Sequence, residues 1–158
     1  MKVPSCIVHR APCAYFFLCP GMAYGIITSR LPALQIQTGA SESDIGLLLL
    51  CLGLSSVIAL LVSARLIALT GSRRLLRVAS LLLILSVALC GLPGHPLLLG
   101  VVFVGAGLGM GLTDVSMNTQ GMLLERRLHT SCLSFMHAAY SFGGVLGALS
   151  GSLFAGLG

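Results

Sequence analysis

Apolar residues run along this chain in long, nearly uncharged blocks that short polar or basic segments separate. The longest block, residues 78–113, contains no Asp, Glu, Lys or Arg. As one helix it would be about 54 Å long, whereas a bilayer core of about 30 Å needs only about 20 helical residues. The block must therefore turn, and Pro93, Gly94, His95 and Pro96 are residues typical of a turn.

The same length rule divides the whole chain into five helices. We expect membrane spans at residues 14–34, 45–69, 75–92, 97–118 and 133–157, in a single domain over residues 1–158. Pro20, Arg30 and Pro32 interrupt the first span. The predicted fold class is therefore all-α transmembrane, with about five membrane-spanning helices.

Composition agrees with lipid as the surrounding medium. Hydrophobic residues make up 56% of the chain and charged residues 8%, and the mean hydropathy is +1.03. Soluble proteins have about 25% charged residues. The net charge of +5 comes from basic residues scattered between apolar blocks, so no nucleic-acid partner is predicted. The six cysteines show no CxxC spacing, and we expect no disulfide, metal or cofactor.

Basic residues indicate the orientation of the chain. Segments 35–44 and 93–96 contain none, while seven lie before span one or in the segments that follow spans two and four. These seven are Lys2, Arg10, Arg73, Arg74, Arg77, Arg126 and Arg127. Because cytoplasmic loops hold the excess of Lys and Arg, we predict a multi-pass protein with a cytoplasmic N-terminus.

Glycines recur at helical spacing in spans four and five. Gly105 and Gly109 are one turn apart, and Gly143, Gly147 and Gly151 repeat at every fourth residue. Such spacing lets helix backbones approach closely in lipid, so we predict helix packing at these positions. A second interpretation, in which glycines let helices slide during a transport cycle, fits the same pattern.

Asp114 is a carboxylate within an apolar span, and Asn118 lies one turn further on the same helical face. A charge in the bilayer interior is costly, so such a residue usually marks a pathway for a solute or a proton. An ion pair with an arginine of a neighbouring helix is the structural alternative. Glu125 continues this face to the membrane boundary, where a surface ion pair with Arg126 or Arg127 is the simpler expectation.

Arg30 and His137 are two further ionisable residues inside predicted spans. The Arg30 side chain either extends to the outer headgroups or meets an anionic group in a cavity. His137 opens span five, where it either relays protons or donates a hydrogen bond to a neighbouring helix. Ser134 and Ser141 lie one turn on either side of it, but no G-x-S-x-G turn accompanies them, so no catalytic residue and no enzyme activity are predicted.

Two segments resemble helices four and five of the major facilitator superfamily, in particular its fucose-permease-like and sugar-efflux-like bacterial branch. They read GAGLGMGLTDVSMNTQGMLLERR and SFMHAAYSFGGVLGALSGS. The matching positions are Asp114, Val115, Met117, Asn118, Glu125, Arg126, Phe135, His137, Ser141, Gly143 and Gly144. Arg30-Leu31-Pro32 resembles the end of the family's first helix, and Gly71-Ser72-Arg73-Arg74 resembles the end of its loop between helices two and three.

The resemblance implies a secondary transporter of a bacterial inner membrane that moves a small polar solute, such as a sugar, by alternating access with proton coupling. Our candidates for the substrate and proton pathway are Arg30, Asp114, Asn118 and His137. Our candidates for cytoplasmic gating contacts are Arg73, Arg74, Glu125 and Arg126.

Two departures from the family pattern qualify this expectation. Ala68 occupies the acidic position of the pattern G-x-x-x-D-x-x-G-R-R, so a gating contact by that carboxylate is in doubt. The family also has about twelve helices in two halves around a midplane site, whereas five are predicted here. We therefore expect an N-terminal portion of a transporter that joins a C-terminal half or self-associates. The alternative is a non-transporting membrane assembly protein or a degenerate inactive fragment.

Overall fold

Five helices follow one another in a computed structural model that describes the backbone of residues 4–157 and the side chains of residues 11–154. They are α1 (Pro4–Thr38), α2 (Glu42–Thr70), α3 (Ser72–Leu89), α4 (Pro96–Leu128) and α5 (Leu133–Leu157). The predicted all-α fold class is confirmed. The predicted orientation was based in part on Lys2 and Arg10. Lys2 and the side chain of Arg10 lie outside the described residues.

Local capping chemistry sets the helix starts. At α2 the Ser41 hydroxyl accepts from the Asp44 backbone N–H at 3.2 Å, and the Asp44 carboxylate accepts from the Ser41 N–H at 2.8 Å. This reciprocal pair is a capping box. Gly71, with φ 81°, lets the chain turn between α2 and α3. At α4 the Nδ1 atom of His95 accepts from the Leu97 N–H at 3.2 Å.

Among the described residues, three helical segments are long and apolar enough to cross a membrane: Ala11–Thr38, Glu42–Thr70 and Pro96–Leu128. The expected interruption of the first span is wrong, because α1 continues through Pro20 and Pro32. In the described part of the chain, α3 and α5 do not reach the same criteria, and α3 carries three arginines among its 18 residues. Five crossings with the bounds given above therefore stay a prediction.

The helices pack as two parallel pairs joined through α4. Helix α1 runs along α5, α2 runs along α4, and α3 lies antiparallel against the other side of α4. Two apolar clusters fill the interior at different depths. One contains Leu83 of α3 with Phe103 of α4, and the other contains Leu76 of α3 with Met117 of α4. The segments of α3 and α4 between these clusters hold the polar residues described below.

The outward surface of the bundle is apolar. Leu61 is 78% exposed, Leu81 67% and Leu153 69%, and many other large apolar side chains share this surface. Soluble monomers do not expose contiguous apolar area on this scale. Together with the three long apolar helices, this surface marks a membrane protein.

Candidate solute and proton site

Asp114 and Asn118 form a hydrogen-bonded pair on α4. The Asn118 side-chain amide donates to the Asp114 backbone carbonyl at 2.9 Å and to the Asp114 Oδ1 atom at 3.3 Å. Their spacing of four residues produces this contact on a helix. Within the described residues the Asn118 amide is the side-chain donor to this carboxylate, and no arginine forms an ion pair with it.

Helices α5 and α1 place further polar side chains around this pair. The Asp114 carboxylate interacts electrostatically with His137 and Tyr140 of α5, and Tyr24 of α1 interacts with Tyr140. His137 packs edge-on against the ring of Phe17, with centroids 5.3 Å apart and planes at 85°. Three helices therefore contribute to one surface. We call this surface the polar face: Tyr24, Asp114, Asn118, His137 and Tyr140.

Buried hydroxyl groups extend this polar region into the bundle. Thr113 and Ser116 of α4 are fully buried, and Ser80 of α3 is 7% exposed. Their hydroxyl oxygens have no hydrogen-bond partner among the described residues. Buried polar groups are usually paired, so three unpaired hydroxyls at the α3–α4 interface form an uncommon polar layer between the two apolar clusters.

Arg30 is not part of the polar face. It lies on α1 six residues after Tyr24, which corresponds to about 9 Å along the helix axis and to a different side of the helix. Its side chain is half-buried and forms no hydrogen bond within the described part of the chain. The structure therefore brings three of the four predicted pathway residues together and leaves Arg30 nearer the other end of α1.

The predicted gating residues lie at the opposite end of the bundle from Arg30. The Nε atom of Arg73 donates to Gln120 Oε1 at 3.3 Å, and Gln120 Nε2 donates to the Ser72 hydroxyl at 2.6 Å. These contacts join the start of α3 to α4. Arg74 and Arg126 have exposed side chains and form no hydrogen bond among the described residues.

Glu125 caps helix α5. Its Oε1 atom accepts from the backbone N–H groups of Leu133 at 2.9 Å and Cys132 at 2.7 Å, and from the Ser131 hydroxyl at 3.2 Å. Helix α4 has 33 residues, about 50 Å, so its last turns extend beyond the bilayer core. The N–H groups of Leu133 and then Cys132 hold the pKa of Glu125 below its usual value. The expected surface ion pair is therefore replaced by a helix cap.

The glycines lie where helix backbones come closest. A Cβ atom at Gly105 would lie 2.9 Å from the Ser86 hydroxyl oxygen, and one at Gly109 would lie 2.7 Å from the Leu83 backbone nitrogen, both on α3. On α5 the stripe of Gly143, Gly147 and Gly151 faces α1 in the same way. At Gly109, Gly143 and Gly147 the nearest atoms belong to the neighbouring backbone, so these positions have no room for a side chain unless the helices move apart.

Within the described residues, no group of three or more His, Cys, Asp or Glu side chains is arranged to hold a metal. No disulfide joins Cys13, Cys19, Cys51, Cys90 or Cys132 within the described residues, and Cys6 lies outside the described side chains.

Sequence reasoning missed several members of the polar region. Tyr140 lies three residues after His137 and shares its helical face, so its place could have been found from spacing. Ser80 and Thr113 are polar positions within the charge-free block, which was a second available signal. Tyr24 and Gln120 could not have been found, because their roles depend on which helices pack together.

Comparison with known proteins gives one consistent result. The model of the Major Facilitator Superfamily matches residues 8–158. An uncharacterized MFS-type transporter of Yersinia pestis is 30% identical over 132 residues, which is 84% of this chain and 34% of that protein. An uncharacterized transporter of Sinorhizobium fredii is 34% identical over 136 residues, 85% of this chain and 36% of that protein. The chain thus spans about a third of the length of these curated relatives. No solved structure matches the chain significantly.

Proposed function

The chain belongs to the major facilitator superfamily, and on that basis we propose that it contributes the N-terminal part of a secondary transporter for a small polar solute. The solute class that we favour is a sugar or a related metabolite, moved by alternating access with proton coupling. Both named relatives are described as transporters, but each is about two and a half times as long as this chain.

The polar face supports a solute pathway. Asp114 and Asn118 present a carboxylate and an amide side by side, and the hydroxyl groups of Tyr24 and Tyr140 lie on neighbouring helices. These groups donate and accept hydrogen bonds at fixed positions, which suits a solute with several hydroxyl groups. In the described bundle Asp114 is exposed rather than buried by the other helices. It is therefore accessible to a solute between this bundle and a second one.

The neighbouring carboxylate and imidazole support proton coupling. Asp114 and His137 interact electrostatically across the α4–α5 interface. Ionisable side chains in membrane spans commonly serve as proton relays. We assign proton handling to this pair, and solute contacts to Asn118 together with the two tyrosines. Arg30 lies about 9 Å beyond Tyr24 along α1, toward the end of the bundle that holds segments 35–44 and 93–96, so we place its contact in the outer part of the pathway.

The basic end of the bundle supports an orientation with the N-terminus in the cytoplasm of a bacterial inner membrane. Arg73, Arg74, Arg77, Arg126 and Arg127 all lie at the end where α3 begins and α4 finishes. Segments 35–44 and 93–96, at the other end, contain no Lys or Arg. In this orientation Arg73, Arg74, Glu125 and Arg126 lie on the cytoplasmic side, where we assign gating contacts with the second half.

Solute flux into proteoliposomes tests this proposal, together with blue-native electrophoresis of the same preparation. The purified chain is reconstituted at a density that lets two copies pair as the two halves of a transporter do, and uptake of labelled mono- and disaccharides is followed with and without a proton gradient. Saturable uptake that the gradient stimulates, and that unlabelled solute inhibits, is the expected result. A homogeneous complex without flux would favour the assembly protein. The helix packing argues against the assembly protein, because the glycine stripes that would bind helices of other proteins already contact helices of the same chain.

A further inference from the structure

A cavity of about 560 Å³ lies between the start of α3, the last turns of α4 and the first part of α1. It is separate from the polar face. Arg73, Arg77 and Arg127 line it together with Gln120, and Phe16 and Leu76 are among the apolar residues that form the rest of its wall. The lining of the cavity therefore combines three guanidinium groups with an apolar wall.

No carboxylate of the chain balances these three charges. The chain contains four acidic residues, and none of them lines the cavity. Glu42 and Asp44 lie in the first turn of α2, at the opposite end of the bundle. Asp114 is hydrogen-bonded to Asn118, and Glu125 accepts from the start of α5. None of the acidic side chains therefore supplies a counter-charge in the cavity, and a bound anion can take that place.

The start of α3 makes the cavity more positive. This helix has no side-chain cap and no acidic residue in its first turn, so the positive end of its dipole adds to Arg73 and Arg77. The Nε atoms of both arginines donate to oxygens of Gln120 and of the Arg73 backbone, at 3.3 and 3.4 Å. These weak bonds orient the side chains while their terminal N–H groups stay available for a phosphate.

We propose that this cavity binds the phosphate headgroup of an anionic phospholipid, with Arg73, Arg77 and Arg127 contacting the phosphate. The acyl chains then lie along the apolar wall at Phe16 and Leu76 and continue over the lipid-facing surface of α3. Basic pockets between membrane helices bind anionic headgroups in this way. Arg65, on α2, and Arg74, in the same turn as Arg73, do not line the cavity.

Cys13 allows the site to be tested in the unmodified protein, because its partly buried thiol lines the cavity. Delipidated protein in detergent is treated with a maleimide, and the labelling rates of Cys13 and of exposed Cys51 are read from peptide masses. Dioctanoyl phosphatidylglycerol is expected to slow labelling of Cys13 and not of Cys51. Dioctanoyl phosphatidylcholine, with the same tails, and inorganic phosphate, without tails, should each protect much less.

The variant R77Q/R127Q should need about thirtyfold more phosphatidylglycerol for half-protection, because each arginine contributes about fivefold. R65Q/R74Q removes two positive charges outside the cavity and should need the same phosphatidylglycerol concentration for half-protection as the parent protein. If both variants needed the same increase in phosphatidylglycerol for half-protection, the lipid would be attracted by net charge only, and the proposal would be overturned. Equal protection by inorganic phosphate would identify a free-anion site instead. Slow labelling of Cys13 that no lipid changes would show that protein fills the cavity, which also contradicts the proposal.

Discussion

Asn118 holds the Asp114 carboxylate from one turn away on α4, donating to its Oδ1 atom at 3.3 Å and to its backbone carbonyl at 2.9 Å. Because the orienting group is a neutral amide, it adds no positive charge beside the carboxylate, as a guanidinium partner would. The carboxylate therefore stays available to a proton or a solute. This arrangement supports the pathway role that we propose for the pair, rather than a structural ion pair.

Replacing Asn118 by Leu removes this orienting amide at similar volume. We expect flux to fall by about tenfold while the protein keeps its thermal stability, because the loss of one charge-assisted hydrogen bond is worth about 1.5 kcal/mol. The matched control is T119V. Thr119 donates only to the Val115 carbonyl of its own helix, at 2.8 Å. If N118L and T119V transport equally, Asn118 has no part in the pathway.

Gly147 tests the close packing of α1 and α5. A Cβ atom at this position would meet the backbone of Met22, whereas one at Gly53 on α2 would meet nothing within 4 Å. G147A should therefore destabilise the protein by about 1–3 kcal/mol, as overpacking does. G53A should be neutral or slightly stabilising. The readout is the midpoint of thermal unfolding in detergent, and equal midpoints for the two variants would refute the packing described here.

Glu125 gives the protein a pH-dependent contribution to stability. Its pKa is lowered in the folded state by the N–H groups of Leu133 and Cys132. The stabilisation is therefore present above its usual pKa and is lost as the pH falls through the lowered value. E125Q should melt below the parent at about pH 7, and the difference should shrink toward about pH 3. E42Q is the control, and a difference that does not depend on pH would contradict the cap.

Gln37, near the end of α1, forms hydrogen bonds with the loop between α3 and α4. Its Nε2 atom donates to the backbone carbonyls of Gly91 at 2.9 Å and Pro93 at 2.8 Å. In Q37L both bonds are lost, and amide hydrogen exchange in residues 90–97 should become faster. Q35L is the control, since the Gln35 side chain makes neither bond. Unchanged exchange in Q37L would show that other contacts hold this connection.

The sequence predicted the number and order of the helices because hydropathy and the thickness of a bilayer fix both. The turn at Pro93 to Pro96 followed from length alone, and α4 begins at Pro96. The continuity of α1 through Pro20 could not be predicted, because neighbouring helices compensate for a proline in a membrane helix. The cap by Glu125 was missed for a related reason, since it depends on how tightly α5 turns back toward α4.

The candidate site was predicted only in part. Asp114, Asn118 and His137 could be found because ionisable and amide groups in apolar helices carry information by themselves. Their grouping depends on the contact of His137 with Phe17, which is a tertiary relationship between α5 and α1. The same packing leaves Arg30 outside the group. Single helices therefore indicate which residues are candidates, and the packing decides which candidates act together.

The most direct test of the central claim is proton-driven solute flux by D114N and by E42Q in matched proteoliposomes. Both changes remove one carboxylate at nearly constant volume, but Glu42 lies in the exposed first turn of α2, away from the polar face. The account predicts that D114N loses the stimulation by a proton gradient and that E42Q keeps it. If D114N transports as the parent protein does, Asp114 is not part of the mechanism and the account is wrong.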